Sequence, residues 1–126
     1  MSKLLLKNAV LATPERIIRN DLLIEDKTIT KIDRDISCDD AKVIDCHEYV
    51  VLPGLIDEHV HFNDPGTTFR EDFEHGTAAC AVGGITTAIA MPTNTPLVLS
   101  MDSLNQTIQA YEGKGYVDYA IHGGID

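Results

Sequence analysis

Two histidines, His59 and His61, stand two positions apart at the end of a short apolar stretch. In a β-strand, residues i and i+2 point to the same side, so both imidazoles project from one face while Val60 points the other way. Asp64-Pro65-Gly66 then turns the chain out of the strand. Two imidazoles held side by side can supply two ligands to a divalent transition metal, usually zinc. Because a bare His-x-His pair also occurs on solvated strands, its meaning depends on the surrounding sequence.

The histidine segment opens an alternation of strands and helices. The pattern predicts strands over Leu55–His61, Ile85–Met91 and Tyr116–His122, and helices over Glu71–Val82 and from Ser100 to Gly113. The β-branched apolar run at 85–91 is typical of a strand buried in a parallel sheet. The order βαβαβ therefore predicts a parallel sheet with right-handed crossovers, whose carboxyl edge carries the two histidines.

The helix ends are predicted from capping residues. Thr68 and Glu71 have the spacing of a capping box at the start of the first helix, and Gly83-Gly84 follows its end. Ser100 is the predicted N-cap of the second helix. The expected packing faces are formed by apolar and small residues at helical spacing, namely Phe73, Thr77, Ala78 and Ala81 in the first helix and Leu104, Ile108 and Tyr111 in the second.

Residues 1–52 have a different pattern, in which short apolar strands alternate with turns. Separate strands are predicted at Leu4–Leu6 and Ala9–Leu11, and a hairpin joins residues 22–25 to residues 28–32 through Asp26-Lys27. Closely spaced short strands are typical of a small β-sandwich-like unit. We therefore predict two domains, residues 1–52 and residues 53–126.

The composition restricts the class of protein. The chain has 126 residues, a formal net charge of -10 and a pI near 4.7, which argues against nucleic acid or an anionic membrane as partner. No apolar run approaches the ~20 residues needed to cross a membrane. The first ten residues are too short for the apolar core of a signal peptide. Three cysteines without a CxxC pair fit a reducing cytoplasm.

The string from Pro53 to Pro96, PGLIDEHVHFNDPG…EDFEHGTAACAVGGITTAIAMPTNTP, resembles the cyclic amidohydrolases, which include dihydroorotases, allantoinases and hydantoinases. The resemblance implies an α/β fold: the N-terminal part of a (β/α)₈ TIM barrel, preceded by half of a small β-sandwich domain. A complete barrel needs roughly 250 residues. We therefore expect this chain to be an N-terminal fragment of a longer enzyme, and to be inactive alone.

The resemblance also assigns roles to particular residues. It implies that His59 and His61 bind a metal in a centre of one or two ions, with zinc the expected ion. It implies that a carboxylated lysine, two further histidines and a proton-shuttling aspartate lie beyond residue 126, so that no catalytic residue lies within this chain. Asn63 and Asn94 are the predicted substrate-binding residues. The metal would polarise a ring carbonyl and acidify water, since ring amides are poor electrophiles.

The choice of substrate depends on the residue two positions past the second histidine. Dihydroorotases typically carry an arginine there, which binds the substrate carboxylate, whereas this chain has the uncharged Asn63. The segments around residues 70–77 and 117–124 also resemble allantoinases, although the loop at residues 93–96 is closer to dihydroorotases. Hydantoinases fit least well. We predict hydrolysis of allantoin to allantoate, with dihydroorotase as the alternative.

Two other classes of function remain open. A catalytically inactive relative could act as a scaffold, although such relatives usually lose the histidine pair. The 126-residue chain could instead be a small binding module, but its open sheet would then expose unpaired strand edges. For the complete enzyme, the resemblance implies a small cyclic amide as substrate and a homo-oligomer.

Overall fold

The computed structural model describes residues 2–125. Internal contacts divide the chain into two compact units, Met1–Pro53 and Gly54–Asp126. Each unit has its own sheet. None of the helices in the described part of the chain is long and apolar enough to cross a membrane.

The first unit is one mixed sheet of five strands, in which β1 has three neighbours. The strands are β1 (Lys3–Ala12), β2 (Ile17–Glu25), β3 (Thr28–Asp33), β4 (Lys42–Asp45) and β5 (Val50–Val51). Their order is β3-β2-β1-β4, and β5 also pairs with β1. The β1–β2 and β2–β3 pairs are antiparallel, whereas β4 and β5 lie parallel to β1. The β2–β3 pair is the predicted hairpin, and Asp26 adopts a φ of 53° in the turn between these two strands.

The prediction of separate strands at Leu4–Leu6 and Ala9–Leu11 was wrong, because both belong to β1. The pairing register shifts between Leu6 and Ala9, and Asn8 adopts a φ of 59°. A bulge of this kind interrupts the alternation of side chains without ending the strand. Lys7 and Asn8 are polar, as turn residues often are, although they lie inside a continuous strand.

The second unit is a three-stranded parallel sheet with the two helices between its strands. The elements are β6 (Leu55–Val60), α1 (Phe73–Val82), β7 (Ile85–Ala90), α2 (Met101–Tyr111) and β8 (Asp118–Ile121). The sheet order β6-β7-β8 and the parallel pairing confirm the predicted βαβαβ arrangement. The strands end slightly earlier than predicted, so His61 is the first residue after β6 and His122 the first after β8.

The predicted capping box at Thr68 and Glu71 was wrong, because α1 begins two residues later than expected. Asp72 is the N-cap, and its carboxylate accepts the backbone N–H of His75 at 2.8 Å. The Glu71 carbonyl instead accepts the N–H of Asn63 at 3.0 Å, which holds that residue in the preceding loop. Gly83 is the C-cap as predicted.

The core of this unit is aromatic and lies between the sheet and the helices. Its buried members are Phe62, Phe73, Cys80, Ala88, Ala90 and Tyr111. The predicted apolar face of α2 was partly wrong, since Tyr111 is buried but Ile108 is 41% exposed. Ser103 and Thr107 are buried instead, and the Thr107 hydroxyl donates to the Ser103 carbonyl at 3.1 Å. A hydroxyl satisfied inside its own helix can face a core, which a count of apolar residues misses.

Candidate metal centre at the end of strand β6

His59 and His61 lie side by side at the carboxyl end of β6. Their ring centroids are 5.2 Å apart with the planes tilted by 60°, and both residues are exposed. The His59 N–H donates to the Asp57 carboxylate at 3.1 Å, and the Val60 carbonyl accepts the N–H of Met91 at 2.8 Å. The strand end that carries both rings is therefore fixed to the end of β7.

The His61 ring has a defined polar partner in the hydroxyl of Thr93, which lies in the loop after β7. The distance between His61 Nδ1 and Thr93 Oγ1 is 2.9 Å. Sequence reasoning did not find this contact, because the two residues are 32 positions apart and no local pattern relates them. The contact occupies Nδ1, so Nε2 is the ring nitrogen that a metal can approach.

His122 brings the end of β8 to the same edge of the sheet. Its N–H donates to the Ala90 carbonyl at 2.9 Å. Its ring Nε2 lies 3.3 Å from the Glu58 carbonyl, which can only accept, so Nε2 is the protonated nitrogen in this contact. An open cleft of about 490 Å³ lies here, lined by Glu58, His59, Ile89, Met91, Pro92, His122 and Gly123. The carboxyl ends of all three strands thus meet around one concave surface.

The two predicted substrate contacts occupy different surroundings. Asn63 is half-buried beside the histidines, and its side-chain Nδ2 donates to the His61 carbonyl at 3.2 Å. Asn94 is 3% exposed, and its Nδ2 donates to the Asp64 carbonyl and lies 3.4 Å from the Tyr111 hydroxyl. The structure therefore places Asn63 next to the histidine pair and Asn94 between the loops after β6 and β7.

The Asn94 side chain also contains an unsatisfied atom. Across residues 2–125, its Oδ1 is the buried side-chain oxygen or nitrogen that has no hydrogen-bond partner. Leaving a buried amide oxygen unpaired is unfavourable. This oxygen is free to accept an N–H or O–H donor.

The two histidines fit part of a metal centre. A structural or catalytic zinc ion takes three or four protein ligands. Among the residues that the structure describes, no group of three or more His, Cys, Asp or Glu side chains converges to hold a metal. His59 and His61 nevertheless present adjacent imidazoles, one of them anchored through its second nitrogen, as is usual for metal-binding histidines. The two imidazoles are therefore chemically suited to a metal centre, which would need further ligands.

Residues 50–124 match the model of the family described as "Amidohydrolase family". Since the match covers more than half of the chain, the chain belongs to the amidohydrolase family. Over the part of these TIM-barrel proteins that the chain covers, the chain has their α/β fold, as the resemblance implied.

Individual relatives carry three different names. The chain is 42% identical over 120 residues to a dihydroorotase of Lactobacillus helveticus, covering 95% of this chain and 28% of the relative. It is 40% identical over 123 residues to an allantoinase of Deinococcus radiodurans, covering 97% of this chain and 28% of that relative. It superposes on the L-hydantoinase of Arthrobacter aurescens with a TM-score of 0.91 and 34% identity, covering 98% and 28%. The chain thus spans little more than a quarter of each relative, and overall similarity does not choose between the three names.

Proposed function

We propose that the protein containing this chain hydrolyses a C–N bond in the ring of a cyclic amide, using a divalent metal held in part by His59 and His61. The observation that carries the proposal is the adjacent pair of imidazoles at the end of β6, with ring centroids 5.2 Å apart. The cleft beside His59 leaves room for a small ring at this edge of the sheet. The relatives named above are enzymes that act on cyclic amides, which supports the same class of reaction.

The roles of the residues follow from the chemistry of amide hydrolysis. When bound, a divalent ion, with zinc proposed, would polarise the scissile carbonyl and make a water molecule more acidic. His59 and His61 would hold and orient this ion. The remaining ligands and the aspartate that moves a proton to the departing nitrogen are proposed to lie beyond residue 126.

Allantoin is the substrate that we favour, because the residue beside the histidine pair is Asn63. A neutral amide can hydrogen-bond to ring N–H and C=O groups, but it offers no charge to a substrate carboxylate. The side-chain nitrogen of Asn63 already donates to the His61 carbonyl, which leaves its oxygen available to accept a ring N–H. Asn94 is the proposed second contact, because it lies in the loop after β7, at the same edge of the sheet as the histidine pair.

Dihydroorotate is the second candidate, and it is favoured by the 42% identity to the Lactobacillus helveticus dihydroorotase. The two candidates are separated by comparing kcat/KM for allantoin and for dihydroorotate in the metal-loaded protein as its native source makes it. We expect the higher value for allantoin. The reverse preference would reject the allantoinase assignment, and hydrolysis of neither ring would reject both substrate assignments.

A further inference from the structure

We infer that Thr93 is a positioning residue for the metal centre, which fixes the orientation and the tautomer of His61. This inference rests on the proposed function, because it assigns Thr93 a role in preparing His61 to bind the metal. Its structural basis is the 2.9 Å contact between Thr93 Oγ1 and His61 Nδ1.

The loop that carries Thr93 is fixed on both sides of this residue. The Met91 N–H donates to the Val60 carbonyl at 2.8 Å, directly before His61. The Thr95 N–H donates to the Pro65 carbonyl at 3.0 Å, and the Pro92 carbonyl accepts the N–H of Val98 at 3.1 Å. The Thr93 hydroxyl is thus presented to the His61 ring by a backbone that is tied to the same strand end.

The direction of the His61–Thr93 hydrogen bond decides what His61 can do. A neutral imidazole has one N–H and one free lone pair, and a threonine hydroxyl can accept as well as donate. If Nδ1–H donates to Thr93 Oγ1, the lone pair remains on Nε2, on the opposite side of the ring, where it is free to bind a metal. If Thr93 donates instead, Nε2 carries the proton and cannot be a ligand. A His61 that ligates through Nε2 therefore requires Thr93 to be the acceptor.

The contact also limits rotation of the ring. His61 is exposed, and an exposed side chain changes rotamer on the picosecond-to-nanosecond timescale unless a specific contact holds it. A hydrogen bond to a fixed hydroxyl favours the orientation in which Nε2 lies on the side away from Thr93. Loss of such an outer partner typically weakens metal affinity by about 10–100-fold.

The test uses three variants of the protein as its native source makes it. Thr93→Val removes the hydroxyl and keeps the shape, Thr93→Ser keeps the hydroxyl, and Thr95→Val makes the same chemical change at a neighbour that contacts the loop through its backbone N–H. Zinc affinity is measured by competition with a chelator. The tautomer of His61 is measured in the metal-free protein by ¹⁵N NMR of labelled histidine, with the signals assigned by a His61→Asn variant.

We expect Thr93→Val to lower zinc affinity about 10–100-fold, and Thr93→Ser and Thr95→Val to stay within about threefold of the parent. We also expect His61 of the parent to carry its proton on Nδ1, and this preference to be lost in Thr93→Val only. An unchanged affinity in Thr93→Val, or a parent His61 protonated on Nε2, would overturn the role of Thr93. If the parent binds neither zinc nor another divalent ion, the proposed function fails, while the tautomer still decides whether Thr93 is the acceptor.

Discussion

The rings of Phe73 and Tyr111 are stacked in parallel, with centroids 3.8 Å apart and an interplanar angle of 7°. Phe73 is the first residue of α1 and Tyr111 the last of α2, so the stack joins opposite ends of the two helices. Phe62 packs edge-on against Phe73, with centroids 5.2 Å apart. Since Phe62 directly follows His61, this aromatic cluster supports the loop that leaves the histidine pair.

Phe73→Ala should destabilise the protein more than any surface change in the same region. Both stacked residues are fully buried, and removing a buried phenylalanine side chain costs about 3–5 kcal/mol. Denaturant unfolding of the variant measures this cost. Phe69→Ala is the matched control, since Phe69 is 84% exposed. Equal losses in the two variants would show that the cluster is not a packed core.

Asp21→Ala should destabilise the first unit through loss of a buried carboxylate. Asp21 is 4% exposed. Its carboxylate accepts a hydrogen bond from the Lys7 ammonium at 2.7 Å, and others from the backbone N–H groups of Asn8 and Ile36 at 2.8 and 2.9 Å. Burial alone would raise the pKa of Asp21, but the hydrogen bonds from Lys7 and the two N–H groups outweigh it and lower the pKa. The stabilisation by ionised Asp21 is therefore present at neutral pH and is lost as the pH falls through the lowered pKa of this carboxyl.

Removing this carboxylate leaves three donors without their acceptor, so we expect a loss of about 3 kcal/mol at pH 7. The loss should shrink in acid, where Asp21 is protonated in the parent as well. Unfolding curves at neutral and acidic pH test both statements, and the exposed Glu15→Ala serves as control. A loss that does not depend on pH would contradict the ionic role of Asp21.

The Asp72–His75 pair at the start of α1 should make helix stability depend on pH. His75 Nδ1 lies 2.8 Å from the Asp72 carboxylate, and this hydrogen bond together with the negative charge raises the pKa of His75. The backbone and side-chain N–H groups of His75 lower the pKa of Asp72. A histidine whose pKa is higher in the folded than in the unfolded protein stabilises the folded state. The full effect is present below the unfolded pKa of about 6.5, and it disappears as the pH rises through the folded pKa.

We therefore expect the Tm difference between the parent and His75→Gln to be largest near pH 5–6 and to vanish above the folded pKa of His75. Asp72 must be ionised throughout that range, which its lowered pKa ensures. Thermal unfolding at intervals of pH gives the profile, and an NMR titration of His75 gives its pKa directly. A pKa at or below the ordinary value would show that the pair does not form.

The sequence was sufficient to predict the order of elements in the second unit, because each element has a strong local signal. The apolar run at 85–91 and the Ser100 cap correspond to β7 and α2 within one residue. The start of α1 was misplaced because Asp72 is as capable a cap as Thr68. The Glu71 carbonyl, which precedes the helix, accepts the N–H of Asn63, and this contact has no signal in the local sequence. Similarly, Ser103 and Thr107 face the core because their hydroxyls bond within α2.

The candidate site was predictable only where one strand determines it. The side-by-side placement of His59 and His61 follows from the period of a strand and from their spacing. The contact of His61 with Thr93 and that of His122 with Glu58 join different strands, so they depend on sheet order and register. Those quantities come from tertiary packing, and no local pattern in the sequence contains them.

Asn63→Arg should shift substrate preference towards dihydroorotate. An arginine at this position adds a fork of donors and a positive charge that can bind a carboxylate, whereas allantoin has no carboxylate to use them. The measured quantity is the ratio of kcat/KM for the two rings, which should change by at least about tenfold, corresponding to about 1.4 kcal/mol. Asn105→Arg, on the exposed side of α2, controls for the added charge. An unchanged ratio would contradict the proposed contact between Asn63 and the substrate.

The most direct test of the central claim is the metal content of the protein purified from its native source, compared with a His59→Asn/His61→Asn double variant and with His75→Asn. Elemental analysis should find bound divalent metal in the parent and in His75→Asn, whose imidazole belongs to the α1 cap. The double variant should lose metal and ring-opening activity together. A parent without bound metal, or a double variant that keeps its full metal content, would contradict the assignment of His59 and His61 as ligands.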